Sequence, residues 1–339
     1  MIRRPPRSTL DRSSAASDVY KRQQPMKLVI DTDPGVDDAI AILMALAAPN
    51  VVVAGLTSVG GNVPLARSTR NALALIQAAG YRNIPIARGA SRPLQGKFKY
   101  APQFHGSGGL SIRLPDPTIR PIKKSAVEFL NDQIAREPGK IVLLALGPLT
   151  NIARLLQEHP YALEQARNIV IMGGAVNVPG NVTPYAEFNI YCDPVAADIV
   201  FSSGLPITLV DLAACRRVGI DRKSAFELHS HHPLGRLALD ILQGWFKKDP
   251  RRHTFEFYDP LAMAVALEPA IATVTKKDLD ITLEKDDRKG ANLETGGPGG
   301  ITLLENVYSS RFFMLLRHLL DLDGLPIYPD MSPITFVTG

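Results

Sequence analysis

The sequence predicts an α/β protein: a single-domain, open, mostly parallel, doubly wound (Rossmann-like) sheet with flanking helices. Three observations carry this. Short apolar runs alternate with helix-period segments from residue 27 to about residue 322, the pattern of successive β–α–β units. Inner runs such as Ile141-Val142-Leu143-Leu144-Ala145-Leu146 are apolar throughout, as strands covered on both faces must be. Polar residues gather where the runs end, and open α/β sheets bind ligands beyond the carboxyl ends of their strands.

The elements follow in order. Lys27-Leu28-Val29-Ile30 reads as a short buried strand. Pro34 and Gly35 mark a turn, after which Val36, Ala39, Ile40, Leu43, Met44 and Ala47 recur at helical spacing. Residues 51–59 form a second strand ending in Gly60-Gly61-Asn62, 64–79 a helix and 84–87 a short strand. The stretch 88–120 is long, irregular and rich in Gly, Pro, Lys and Arg; loops of that length are functional or disordered. It holds His105-Gly106-Ser107-Gly108-Gly109-Leu110. A helix is expected over 122–136, a strand over 140–146, a helix over 151–158 with Thr150 as its N-cap, and a strand over 168–172. Pro194 opens a helix to about residue 203, with Asp193 as its cap. A strand over 206–210 closes on Asp211, 221–247 is helical with breaks, and Tyr258-Asp259-Pro260 starts a helix through Leu267. A β-rich part over 272–303 precedes a closing helix over 305–322. No repeat or low-complexity linker divides the body, so 26–339 is expected to be one domain.

Composition narrows the function classes. With 45% hydrophobic residues in 339, the chain can bury a large core. No apolar run approaches the ~18 residues of a membrane span, so a membrane protein is not expected. Cys192 and Cys215 have neither metal-type spacing nor a disulfide framework, which suits a reducing, cytoplasmic compartment. Six basic against two acidic residues in 1–25 hold four of the five net positive charges. The body is nearly neutral and gives no argument for nucleic acid. The leader has no apolar h-region and is no secretory signal. It resembles translated sequencing-adapter read-through; the native chain is expected to start at or near Met26, with 1–25 disordered.

The chemistry centres on Asp31-Thr32-Asp33-Pro34-Gly35-Val36-Asp37-Asp38, where four carboxylates fall within eight residues. Asp37 and Asp38 suit the positive end of the following helix. Asp31 and Asp33 sit in and just after a buried strand, where an unpaired carboxylate is costly. A hard cation with oxygen ligands, Ca²⁺ or Mg²⁺, answers that cost. The other strand ends add Asn62, Glu187 with Asn189, and Asp259, so acids and amides face one crevice. A divalent ion and a polyhydroxylated ligand together would satisfy them.

On these residues the chain resembles the inosine/uridine-preferring nucleoside hydrolases. The opening DTDPGVDDA carries the likeness, with Gly147-Pro148-Leu149-Thr150-Asn151-Ile152-Ala153, Met172-Gly173-Gly174, Gly180-Asn181, Ala186-Glu187-Phe188-Asn189 and Asp193-Pro194 following in order. It runs from Lys27 to the final helix. The resemblance implies Ca²⁺-dependent hydrolysis of the N-glycosidic bond of ribonucleosides to free base and ribose, by metal-activated water. It implies Asp33, Asp38, Asp259 and the Leu146 carbonyl as metal ligands, with Asp33 also the general base. Asp37, Asn181, Glu187 and Asn189 would contact ribose, Asn62 would stand beside metal and ribose, Met172 would line the pocket, and His105 would lie near the base. It also implies a homo-oligomer, dimer or tetramer. One position departs: many members carry His immediately before the later aspartate, thought to protonate the leaving base, and here Tyr258 stands there. A phenol with pKa near ~10 is a poorer acid. Tyr258 could donate a proton, stack on the base or only shape the pocket. His253 is an alternative donor or, more simply, a solvated loop residue. The change tilts the expected preference toward pyrimidines.

Plainer readings stand beside these. His105 could be an exposed loop histidine, Asn181 a turn residue, Asp259-Pro260 a helix start, and Met172 and Tyr191 ordinary core. Asp31 either orients its neighbours or is satisfied by backbone donors. Phosphatases with an aspartate nucleophile also begin strand-Asp-x-Asp, but they want a hydroxyl or apolar residue soon after the second Asp, and Pro34 to Asp38 fits poorly. A sugar or nucleoside binder without turnover is the other alternative, allowed by Tyr258.

Overall fold

The computed structural model describes residues 25–284, 286–297 and 299–325. The expectations for the leader fall on residues 1–24, outside the described residues. The strands, in chain order, are β1 (Met26–Thr32), β2 (Val51–Ser58), β3 (Ile86–Arg88), β4 (Ile141–Ala145), β5 (Asn168–Met172) and β6 (Ile207–Val210). They continue with β7 (Gly219–Asp221), β8 (His229–Ser230), β9 (Thr254–Glu256), β10 (Ala272–Ile281), β11 (Asn292–Thr295), β12 (Ile301–Val307) and β13 (Leu322–Asp323). Nine of them make one sheet in the order β11-β10-β12-β6-β5-β4-β1-β2-β3. From β12 across to β3 the pairing is parallel, and β10 and β11 add an antiparallel edge. The fold class is the one the alternating pattern predicts.

Alternation within β1 and β4 explains why their runs are apolar throughout. Leu28 and Ile30 pack into the core on one face of the sheet while Val29 packs into the core on the other. Val142 and Leu144 likewise oppose Ile141, Leu143 and Ala145. Both faces are sealed by helices, so neither set has a solvent side. β1 lies between β2 and β4, where the strand order reverses. That reversal leaves an opening beyond the carboxyl ends of β1 and β4, the place such sheets offer a ligand.

Several boundaries differ from those expected. The helix expected over 122–136 begins at Ala126, because Ser125 and Glu128 form a capping box that fixes its start. Thr150 is the first residue of its helix, Thr150–Glu158, rather than the cap, and its hydroxyl donates to Asp193. The closing helix spans Ser309–Leu320, since the residues before it complete β12. The broken helical stretch resolves into Arg222–Glu227 and Pro233–Lys248 with β8 between them. Among the described residues, no helix is long and apolar enough to cross a membrane.

Candidate active site

The site is built from strand ends upward. β1 carries Asp31 and ends one residue before Asp33; the helix Val36–Ala47 then starts with Asp37 and Asp38 in its first turn. Asp31, Asp33 and Asp38 are fully buried. Asp38 is held on three sides: its carboxylate accepts from the Thr32 hydroxyl, from Gly35 N at 2.9 Å and from Asn62 Nδ2 at 3.2 Å. Asp33 accepts from Asn62 N through Oδ2, while its Oδ1 has no partner. Its space comes from two glycines. A Cβ at Gly61 would lie 2.0 Å from Asp33 Oδ2, and one at Gly147 would lie 2.7 Å from Asp33 Oδ1. Asp31 sits beneath the others, accepting from the Thr57 hydroxyl and from Asn151 Nδ2 at 2.7 Å. Both donors are side chains that reach Oδ1, not the backbone donors the sequence suggested, and its Oδ2 is buried without a partner.

Above this floor opens a cavity of about 190 Å³. Asp37, Asn62, His105, Leu146, Met172, Asn181, Glu187, Asn189, Tyr258 and Asp259 all line it, with Phe104 and Gln103. Among the described residues, no lysine or arginine lines it. Ten of the twelve residues singled out in the sequence therefore meet at one cavity, and Asp33 and Asp38 lie buried against Asn62 beneath it. Oxygen atoms of Asp37, Asp38 and Asp259 all lie within 4.8 Å of one another. Asp33 stands outside that closest trio, so the geometry groups Asp37 with the metal-type acids more tightly than the resemblance implies.

The acids hold one another in an unfavourable state. Burial, and then the charge of Asp38, raise Asp33 well above the ordinary carboxylate range and Asp37 to about 8. Burial followed by the charges of Asp38, Asp37 and Asp33 raises Asp259 in the same direction. Asp37 Oδ1 joins Asp33 Oδ1 as a buried oxygen without a hydrogen-bond partner. Free oxygens, repelling charges and, among the described lining residues, a neutral His105 in place of any lysine or arginine fit a divalent cation with oxygen ligands.

Glu187 and Asn189 come from one short helix, Phe188–Cys192. Glu187 caps it, accepting from Asn189 N at 2.8 Å and Ile190 N at 3.1 Å, and reaches across to Gly174 N at 3.1 Å. Burial raises its carboxyl to about 7. Asn189 Nδ2 donates to Leu146 O at 2.8 Å and Met172 O at 3.2 Å, tying the ends of β4 and β5 together. The Leu146 carbonyl keeps a second lone pair. Asn181 is exposed at the cavity rim, its backbone N–H closing a turn on Ala186 O at 3.1 Å.

His105 is not the exposed loop histidine of the plainer reading. It is 5% exposed, and its Nδ1 accepts from Val36 N at 3.1 Å, at the start of the acidic helix. Burial, helped by the Arg252 charge, lowers its pKa to about 3, so the ring is neutral and its proton sits on Nε2. Tyr258 begins the helix Tyr258–Leu267 and its hydroxyl donates to Glu256. Burial, then that hydrogen bond, raise the phenol further above its ordinary value. His253 is exposed and outside the cavity, as its loop reading had it, and Asp193 caps its helix through Ala196 N.

Sequence reasoning missed Gly61 and Gly147 as the cradle of Asp33, and Glu256 as the partner of Tyr258. It also missed Trp245 and Arg252, which donate to carbonyls of the turn Pro102–His105. Only the glycines left a signal, each standing at a strand end beside a polar residue or a proline.

Fold and site together define a class: an α/β protein whose acids and amides surround a small cavity at the switch point of the sheet. The chain belongs to the inosine-uridine preferring nucleoside hydrolase family, whose pattern it matches over residues 28–313. Uridine nucleosidase 1 of Arabidopsis thaliana is 40% identical over 74% of this chain and 76% of its own length. The pyrimidine-specific ribonucleoside hydrolase RihA of Shewanella oneidensis is 34% identical over 86% of this chain and 95% of its own. Among solved structures, the plant nucleoside hydrolase PpNRh1 superposes with a TM-score of 0.81 at 32% identity, covering 87% of this chain and 99% of that one. The purine-preferring ribonucleoside hydrolase from Gardnerella vaginalis does so with a TM-score of 0.79 at 28% identity, covering 87% and 98%.

Proposed function

We propose that this nucleoside hydrolase cleaves the N-glycosidic bond of ribonucleosides with Ca²⁺ at its acidic floor, and that uridine is its preferred substrate. The acid cluster is the observation that carries the metal: burial and then the charge of Asp38 raise Asp33, Asp37 and Asp259, and two of the buried oxygens in this group have no partner. Asp33, Asp38 and Asp259 would hold the ion with the Leu146 carbonyl, an uneven oxygen set of the kind Ca²⁺ accepts more readily than Mg²⁺. When bound, the cation neutralises these acids and lowers the pKa of a coordinated water.

The chain's own residues do the rest. Asp33 Oδ1, the oxygen left without a partner, takes the proton of the attacking water. Asp37, Asn62, Asn181, Glu187 and Asn189 receive the ribose hydroxyls, and Met172 closes the wall beneath the ring. Departure of the base builds positive charge at the anomeric carbon, and the surrounding carboxylates are fixed where that charge develops. His105 stays neutral and offers Nε2–H to the base side of the cavity. The uridine preference is supported by relatives such as the Arabidopsis enzyme, named a uridine nucleosidase, and by the absence of an imidazole at position 258. A single displacement by water inverts the anomeric centre. Proton NMR of a fresh uridine digest is therefore expected to show α-ribofuranose before mutarotation. A β-anomer appearing first would contradict direct attack by water.

A further inference from the structure

Tyr258 and Glu256 alternate with two buried phenylalanines. Phe255 and Phe257 are 0% and 1% exposed, their rings 5.3 Å apart, and Phe257 packs on Phe312 at 5.5 Å. Residues 256 and 258 are only partly buried, so core packing fixes the backbone between them. β9, which ends at Glu256, is itself paired with β7, Glu256 standing opposite Gly219. On this anchored segment the Tyr258 hydroxyl donates to Glu256 Oε2, while the phenol ring lines the cavity with Phe104 beside it at 6.4 Å. A phenol has a single proton. With that proton directed to Glu256, the face of the oxygen turned to a ligand has only lone pairs to offer.

We infer that Glu256 is a positioning residue that makes Tyr258 a hydrogen-bond acceptor for an N–H of the bound base, so that Tyr258 holds the base and does not protonate it as it leaves. This rests on the nucleoside-hydrolase reading of the cavity and assigns a role at the position where the sequence departs from its family. The binding follows from the acceptor: a neutral hydrogen bond to the base is made in the ground state and kept in the transition state, so it acts on KM more than on kcat.

The experiment compares wild type, Tyr258→Phe, Glu256→Ala, Glu256→Gln and the double variant E256A/Y258F. Uridine and 5-fluorouridine are the substrates, with ribose release as the readout. The inference predicts that Y258F and E256A each raise KM for uridine about 5-fold, the loss of one neutral hydrogen bond, with a much smaller change in kcat. The double variant is no worse than either single one, because both remove the same interaction. E256Q, whose amide oxygen still accepts the phenol proton, recovers most of the loss. The kcat ratio of 5-fluorouridine to uridine stays the same in Y258F, since no proton donor has been removed. A fall in kcat in Y258F, with that ratio rising because the poorer leaving group suffers more, would show that the phenol protonates the base and would overturn the inference. So would multiplicative losses in the double variant, which would place Glu256 in a role independent of Tyr258. Absence of ribose from wild type with every nucleoside would instead overturn the hydrolase reading itself, and the inference with it.

Discussion

Asp33 shows most directly how a residue can oppose stability and serve chemistry. It is fully buried, has one unpartnered oxygen, and faces the charges of Asp38 and Asp37. Asp33→Asn keeps the shape and removes the cost of ionising a buried carboxyl beside Asp38 and Asp37. In metal-free protein that substitution is expected to raise Tm by about 1–2 °C, the effect of about 1 kcal/mol in a chain this large. It is also expected to cut kcat by about 10³, within the usual range for loss of a general base. Differential scanning calorimetry and ribose release test the two halves, and a variant that is both less stable and fully active would contradict the role. At this scale the sequence was highly legible where chemistry required a polar side chain. The four acids of residues 31–38, Asn62, Glu187, Asn189 and Asp259 were all readable, because packing gives no reason for them at strand ends. Gly61 and Gly147 were not readable as a cradle, since a contact between residues far apart in the chain leaves no local pattern. Glu256 was hidden for a similar reason: an acid beside a loop looks like any solvated one until its partner is known.

At the scale of elements, the long irregular stretch after β3 proves to be an anchored piece of the cavity wall. Its turn Pro102–His105 carries Phe104 and His105, and three side chains near the end of the helix Pro233–Lys248 hold it. Trp245 Nε1 donates to Phe104 O at 2.9 Å, Arg252 Nη2 to Gln103 O and Phe104 O at 2.9 Å each, and Lys248 Nζ to Leu110 O at 3.0 Å. Arg252 also lies over the Trp245 ring, 4.2 Å from its centroid. Arg252→Ala takes a donor from the half-buried Phe104 carbonyl and the exposed Gln103 carbonyl and loosens the turn that seats His105 against Val36. The expected outcome is a roughly 10-fold rise in KM, about 1.4 kcal/mol, and faster amide exchange over 101–106. Arg252→Lys restores little of either, because an ammonium cannot reproduce the guanidinium fork and its stacking. Unchanged exchange in Arg252→Ala would contradict this. The order and kind of the elements were legible from apolar period alone. Their starts were not, because Ser125, Thr150 and Val307 are placed by caps and pairings that periodicity does not report.

For the whole molecule, the reversal of strand order beside β1 gathers acids from the ends of several elements into one buried group. Without a cation this group gives the fold a defined pH dependence. Asp37 is raised to about 8 and Glu187 to about 7, both far above their unfolded values. Between about pH 4 and pH 8 the folded state therefore binds more protons than the unfolded state, and the stability of metal-free protein falls as pH rises through that window. Thermal melts of chelator-treated protein from pH 5 to pH 8 are expected to show a falling Tm. Saturating Ca²⁺ is expected to flatten the trend by replacing those protons, adding about 2.7 kcal/mol at 100 times its Kd. The fold at this scale was legible because strands buried on both faces leave a strong apolar signature. The proposed cation was legible only as a need, from acids crowded at the ends of buried strands. The measurement that tests the account most directly is ribose release from uridine, cytidine, inosine, adenosine and guanosine, with chelator and again after Ca²⁺ is returned. The account predicts ribose from uridine foremost, lost on chelation and restored by Ca²⁺; release that persists unchanged in chelator would contradict it.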